Sequence, residues 1–270
     1  MSKRLSRLIA GLAGAVAAPL SEKRRMLTLA LASERLRQVV TVAARGRQLR
    51  FDCPTARALH DPLAFSTGEP ETLHWIDLQV RPGEVVWDIG ANIGVYALYA
   101  ALTPEVTVIA FEPSAASFAA LMRNIEINGL GERVLAFCLA LSDRTQVDFL
   151  HMADSAAGHS MHAFGQMETV GGPVIPAFSQ VVPGFTIDEV RAQFALPAPD
   201  HIKLDVDGTE EKILRGGAAT LAAVRSIAME VSGASGEAAA SFLCARGFAM
   251  MPAEGAAPRN RVFLNRALPG

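Results

Sequence analysis

The stretch Val85-Val-Trp-Asp88-Ile-Gly90-Ala-Asn92-Ile-Gly94 decides the fold. Val85–Ile89 is a short, largely apolar run stopped by Gly90, and helical spacing follows over Tyr96–Leu102, ending before Pro104. A run of this length and composition, next to a glycine break, reads as a strand buried on both faces. Working outward, the alternation repeats. Val106–Phe111 is a second strand, ending at Glu112-Pro113. Ala115–Asn128 is a helix closed by Gly129, and Val134–Leu141 is a third strand. Ile202–Val206, helix Glu210–Ala223 and Ile227–Val231 continue the series. Strands alternating with helices predict an α/β, doubly wound, mostly parallel sheet, with ligands bound beyond the carboxyl ends of its strands.

The residues at those strand ends are therefore the candidates for chemistry. Asp88 sits just before a G-x-x-x-G pair, Gly90 and Gly94, at a strand-to-helix junction. Glycines there let a ligand approach the backbone. A dinucleotide site would read G-x-G-x-x-G and place a pyrophosphate on the helix start. An acid before the first glycine suits an ammonium group, as carried by the methionine end of S-adenosylmethionine. Glu112, ending the next strand, can accept the two hydroxyls of a ribose. At the third strand end, Ser142-Asp143 falls where an adenine would lie, and Asp143 is either its amino-group acceptor or a turn residue.

The fourth strand reads His201-Ile-Lys203-Leu-Asp205-Val-Asp207-Gly208. Strand alternation puts Lys203, Asp205 and Asp207 on one face. A central parallel strand is normally apolar, so these charges need a reason. The two carboxylates suit acid–base work with Lys203 holding one ionised, or a hard metal ion. No second ligand cluster accompanies them, and no metal is assigned. Residues 143–187 break the alternation: Gln146–His151 and Ala177–Phe185 are extra strands, a hairpin, around a long small-residue loop, Ala153–Pro176. His151, His159 and His162 fall in or beside that loop, where one could line a substrate pocket.

With 270 residues, half of them hydrophobic and 19% charged, the chain has globular composition. Cys53, Cys138 and Cys244 are too few and scattered for a disulfide framework or a thiolate metal site. The net charge of −2 hides an asymmetry, since residues 1–50 hold 11 Lys/Arg against 2 Asp/Glu. Within this basic helical extension, Leu5, Leu8, Ile9, Leu12 and Val16 share a helix face that Pro19 ends. Residues 22–43 repeat the pattern with Met26, Leu29, Leu36 and Val40. Residues 1–43 thus read as helices that pack on the body or a partner, as an anionic-membrane contact, or as a secretion signal. Secretion conflicts with a cytosolic cofactor, so the expected location is cytoplasmic, with peripheral membrane contact through the arm. Nucleic acid is excluded as a partner. The basic residues lack interleaved aromatics, and no Asn/Asp-Pro-Pro-Tyr segment follows the fourth strand. A NAD-linked oxidoreductase is disfavoured by the glycine spacing and by the lack of a Tyr-x-x-x-Lys pattern. A non-catalytic module on the same fold is a third alternative.

The chain resembles the FkbM-type family of S-adenosylmethionine-dependent methyltransferases. The matching segments are GEPETLHWID, VVWDIGANIGVYAL, VIAFEPSAASFAALMRNIEINGL, CLALSD, TIDEV at Thr186–Val190, HIKLDVDGTEEKILRGG and IAMEV. They span about residues 68–232 in order. The resemblance implies a class I methyltransferase sheet; the absence of an internal repeat or linker after residue 50 makes residues 51–270 one domain. The resemblance also implies methyl transfer to a hydroxyl of a sugar, glycan or natural-product acceptor. It assigns donor-binding roles to Asp88, Gly90, Asn92, Gly94, Glu112 and Asp143, lid contacts to Glu69 and Thr72, and reach into the site to Asn124. The family's D-x-E-G reads Asp205-Val-Asp207-Gly208 here, retracting that carboxylate by about 1.5 Å. The expected mechanism takes Asp205 as base and Lys203 as its orienting partner, with the 153–176 loop over the acceptor.

Overall fold

The computed structural model describes residues 2–169, 172–173, 175–252 and 259–268, and it divides into two units, Met1–Val39 and Val40–Gly270. In the first unit, α1 (Ser2–Ala17) stops ahead of Pro19, whose ring cannot continue a helix. Its Leu5, Leu8, Ile9, Leu12 and Val16 are all exposed. α2 (Glu22–Arg35) buries no residue. No helix among the described residues is long and apolar enough to cross a membrane.

The second helical stripe, expected through residue 43, ends instead at Arg35. Val39-Val40-Thr41-Val42 is β-branched throughout and packs better on a pleated surface. It lies in β1 (Gln38–Ala44), which pairs with β2 (Arg47–Cys53). Arg45 and Gly46 join them with φ of 49° and 73°, the positive pair that a two-residue hairpin turn needs. Residues 38–50, expected within a helical extension, are therefore mostly hairpin. Leu49, Phe51 and Cys53 of β2 are buried in the core of the second unit.

After α3 (His60–Leu63) and α4 (Pro70–Gln79), the alternation read from the sequence appears: β3 (Val85–Ile89), α5 (Val95–Ala100), β4 (Thr107–Phe111), α6 (Ala115–Ile127) and β5 (Val134–Phe137). The third predicted strand is split. Its end, β6 (Ala140–Leu141), leaves the main sheet and pairs parallel with β11 (Phe178–Phe185). β7 (Gln146–Met152) and β11 form the expected antiparallel pair over seven residue pairs. The loop between them is not irregular throughout. It holds β8 (His162–Phe164), which adds to β7, and a small ladder of β9 (Glu168–Thr169) and β10 (Gly172–Pro173). Val170, Gly171 and Val174 lie outside the described residues.

The chain returns through α7 (Ile187–Gln193), β12 (His201–Leu204), α8 (Glu210–Arg215), β13 (Ser226–Glu230), α9 (Gly233–Ala245), β14 (Phe248–Met250) and β15 (Asn260–Asn265). The helix expected over Glu210–Ala223 stops at Arg215, ahead of Gly216-Gly217, and residue 216 must be glycine because a Cβ there would lie 2.3 Å from the Ser142 carbonyl oxygen. The main sheet runs β14-β15-β13-β12-β3-β4-β5, with β13, β12, β3, β4 and β5 parallel and the β15–β14 hairpin antiparallel. It is an α/β, mostly parallel, doubly wound sheet. Alternate residues feed two cores: Val86, Val108 and Ala110 on one face, Trp87, Ile109 and Phe111 on the other. β3 is flanked by β4, its successor, and by β12, which comes more than a hundred residues later. Strand order reverses there, and a crevice opens at such a reversal.

Candidate active site

A cleft of about 1000 Å³, part of it open to solvent, lies at the carboxyl ends of β3, β4 and β12. Its floor is the β3–α5 turn, Gly90 to Ile93. The glycines there serve chain packing. A Cβ on Gly90 would sit 2.0 Å from the Asp205 carbonyl oxygen, and Gly90 has φ of +84°. Gly94, with φ of +92°, makes room for Leu121 and Leu98 and does not line the cleft.

Asp88, one residue before the end of β3, lies beneath this floor, opposite Lys203 in the β12 register. It is buried, and neither carboxylate oxygen has a hydrogen-bond partner. Lys203 Nζ is 3.8 Å away. Burial, helped by the Asp205 carboxylate, raises the Asp88 pKa against the pull of Lys203 and of the Ala97 main chain. Lys203 Nζ donates to Asp205 Oδ2 at 2.9 Å and lies 5.1 Å from the Tyr96 ring centroid. Burial would neutralise this amine, but Asp205, Asp88 and Glu69 outweigh it and raise its pKa, so it stays charged.

Glu112 follows β4 and is buried against the floor. Its Oε2 accepts from the Asn92 amide at 2.8 Å and its Oε1 from the Ser114 amide at 2.7 Å. Burial still pushes it up to about 7, since the amides only partly replace water. Asn92 lines the cleft with φ of 49°, and its Oδ1 is buried without a partner. Glu69, on the opposite wall at the start of α4, is raised by burial and bears on Tyr96. Its Oε2 accepts from Thr72 Oγ1 at 3.2 Å and Asn260 Nδ2 at 2.9 Å.

A roof closes over part of the cleft. The segment between β7 and β8 is tied down at four points. Ala157 O accepts from Thr55 Oγ1 at 2.7 Å, and the Gly158 amide donates to Ser117 Oγ at 3.1 Å. Asn92 Nδ2 reaches Gly158 O at 3.5 Å. Asp207 Oδ2 accepts from the main-chain amides of Met161 and His162. Burial raises Asp207 to about 6. His159, Ser160, His162 and Phe164 thereby become walls of the cleft.

The sequence-predicted residues sort accordingly. Asp205, Asp207, Lys203, Glu69, Gly90, Asn92 and Glu112 line one cleft, with Asp88 beneath. Thr72 is wholly buried and holds Glu69 rather than touching the cleft. Asn124 is also buried away from it, accepting from the Asp52 amide at 2.7 Å and donating to Ile93 O at 2.9 Å. Ser142 and Asp143 do not line it either. Ser142 lies over Gly216, its amide donating to Phe185 O at 2.8 Å, and Asp143 is exposed. β12 ends at Leu204, so Asp205 and Asp207 are loop residues, and alternation does not set their direction. Tyr96, Asp61 and the Asn260 support were missed. Tyr96 could have been found as the helix residue just past Gly94, while Asn260 lies 191 positions from Glu69 and left no local signal. Among the described residues no group of three or more His, Cys, Asp or Glu side chains could hold a metal.

The family model described as the methyltransferase FkbM domain matches residues 88–250. The chain belongs to the FkbM methyltransferase family. Among curated relatives, the 31-O-demethyl-FK506 methyltransferase FkbM of Streptomyces tacrolimicus is 50% identical over 58 residues, 21% of this chain and 22% of that protein. The hexuronic acid methyltransferase AglP of Haloferax volcanii is 26% identical over 164 residues, 61% of this chain and 62% of that one. The matches thus span less than two thirds of either relative. Among solved structures, an rRNA methylase from Streptococcus thermophilus aligns with TM-score 0.45 and 9% identity, over 72% of this chain and 92% of that one. The cofactor of this FkbM-family chain is S-adenosylmethionine. The cleft fits it: among the described residues Asn92 Oδ1 in its lining and the Asp88 oxygens beneath the floor are buried without a hydrogen-bond partner.

Proposed function

We propose that this chain is an S-adenosylmethionine-dependent O-methyltransferase acting on a hydroxyl of a sugar, glycan or natural product. The observation that carries it is Asp88, a buried carboxylate with no hydrogen-bond donor on either oxygen. Its charge partner, Lys203 Nζ, stands off at 3.8 Å, so the carboxylate keeps capacity for a closer cationic donor such as an ammonium group. The two curated relatives, one named for an O-demethyl natural product and one for a hexuronic acid, support a hydroxyl-bearing acceptor. S-adenosylmethionine supplies an electrophilic methyl group when bound.

Asp88, Gly90, Asn92 and Glu112 would hold the donor, with Glu69 closing from the opposite wall. Asp205 would orient the acceptor hydroxyl, its other oxygen fixed by Lys203. Asp207 holds the roof. Holding two reactants in attack geometry can supply about 7–11 kcal/mol, so a positioned cleft does much of the work. We place the chain in the cytoplasm with its donor, and we assign α1, basic at its start and apolar along one exposed stripe, to an anionic membrane surface.

Calorimetry with S-adenosylmethionine, S-adenosylhomocysteine and NAD tests this. Micromolar binding of the first two, abolished in Asp88→Ala, is expected. NAD binding would support an oxidoreductase instead, and binding of none would support a non-catalytic module.

A further inference from the structure

His162 is the cleft residue that the mechanism above leaves idle. It opens β8, and strand alternation turns it to the same side as Phe164, which also lines the cleft. Both of its ring nitrogens are buried, and among the described residues neither makes a hydrogen bond of good geometry, although the His159 main chain is near enough to bear on the ring. A buried imidazole without such a bond is an expense that folding alone does not explain. Its main chain, by contrast, is fixed: the His162 amide donates to Asp207 Oδ2 at 3.0 Å, and the neighbouring Met161 amide donates to the same oxygen. Asp207 comes from the carboxyl end of β12, where Asp205 and Lys203 face the same cleft. The carboxylate that departs from the family pattern thus holds the histidine-bearing strand against the site.

Resting on the methyltransferase reading, we propose that His162 takes the proton of the acceptor hydroxyl and that Asp207 positions it through the main chain. The balance is simple. The hydroxyl oxygen bonds to the donor's methyl carbon, and the carbon–sulfur pair returns to sulfur. The O–H proton passes to a ring nitrogen of His162, which becomes imidazolium and later loses it to water. Asp205 is less suited to that task because its Oδ2 is already engaged by the Lys203 ammonium. A neutral imidazole with a free nitrogen needs no prior deprotonation. Burial and the nearby His159 lower the His162 pKa to about 4, against the attraction of Asp154 and of the His159 main chain. Asp207 and His159 also face it, so its state must be read at His162 itself.

The first measurement uses the full chain labelled with ¹⁵N in its histidine rings, His162 being assigned by its loss in His162→Gln. A neutral ring at pH 7 with a midpoint well below 6 is expected, and a ring charged at pH 7 overturns the proposal. Excess S-adenosylhomocysteine plus methyl glucuronide or methyl glucoside should perturb this ring more than S-adenosylhomocysteine alone, and identical spectra with both glycosides also overturn it. The second compares His162→Gln with wild type, using labelled S-adenosylmethionine and whichever glycoside accepts methyl. General-base loss costs about 100-fold or more in kcat, with the affinity for S-adenosylhomocysteine and KM nearly unchanged. Wild-type turnover in His162→Gln refutes the assignment while leaving the methyltransferase standing. Failure of wild type to bind S-adenosylhomocysteine sinks the underlying reading instead.

Discussion

Replacing Asn124 by alanine separates a structural role from a donor-binding one. Its carboxamide is wholly buried, accepts from the Asp52 amide at 2.7 Å and donates to Ile93 O at 2.9 Å. It therefore ties β2 to the turn that floors the cleft. Asn124→Ala leaves a buried donor and a buried acceptor unpaired, each costing about 1–3 kcal/mol, so roughly 2–6 kcal/mol of stability is lost. At about 2–4 °C per kcal/mol for a domain of this order, the melting temperature should fall by about 4–24 °C. Calorimetry with S-adenosylhomocysteine, run well below the variant's transition, should then find an affinity within a few-fold of wild type. An unchanged melting temperature with affinity reduced tenfold or more would refute this assignment, because Asn124 would then touch the ligand.

Three further outcomes are expected. Gly90→Ala would force a Cβ to 2.0 Å from the Asp205 carbonyl oxygen at φ of +84°, so the variant should be insoluble or lose S-adenosylhomocysteine binding, and a soluble, binding-competent Gly90→Ala contradicts the described contact. The His162 pKa is depressed from 6.5 to about 4 in the fold. Its contribution is therefore present above 6.5 and lost as the pH falls toward 4, and urea unfolding of wild type should lose roughly 2 kcal/mol more than His162→Gln between pH 7 and pH 5; parallel curves would dismiss the shift. The full chain should sediment with vesicles containing anionic phosphatidylglycerol and not with purely phosphatidylcholine vesicles, and Leu8→Glu with Leu12→Glu should abolish this. Equal sedimentation of that double variant removes α1 from membrane contact.

The parallel sheet was legible because β3, β4 and β12 are buried on both faces, which makes each a short apolar run with a sharp end. The charges that interrupt such a run, Lys203 above all, were legible for the same reason. Direction was harder to read. Alternation was extended past Leu204 to Asp205 and Asp207, where the chain has left the sheet and Asp207 turns to the roof. The glycine pair was found, but its cause is the close passage of Asp205 and Leu121 rather than an open cradle. Ser142 and Asp143 were misplaced because Ala140-Leu141 leaves the main sheet to pair with β11, a register that no local pattern encodes. The β1–β2 hairpin was hidden by joining Val40 to a helical stripe. The Arg45-Gly46 pair was the overlooked cue. Asn260, supporting Glu69 from the far end of the chain, could come only from tertiary structure.

The charges around the cleft have a consequence for turnover. Asp61, Glu69, Glu112, Asp205 and Asp207 line it, and Lys203 is the only lysine or arginine among its lining residues. Such an acidic vessel discriminates by charge as well as by shape. S-adenosylmethionine carries one positive charge more than the S-adenosylhomocysteine left after transfer. The same walls that draw the donor in therefore hold the spent product less tightly, and the reaction itself discharges the attraction that brought its reagent to the site. Exchange of the spent nucleoside for a fresh donor is then favoured by electrostatics.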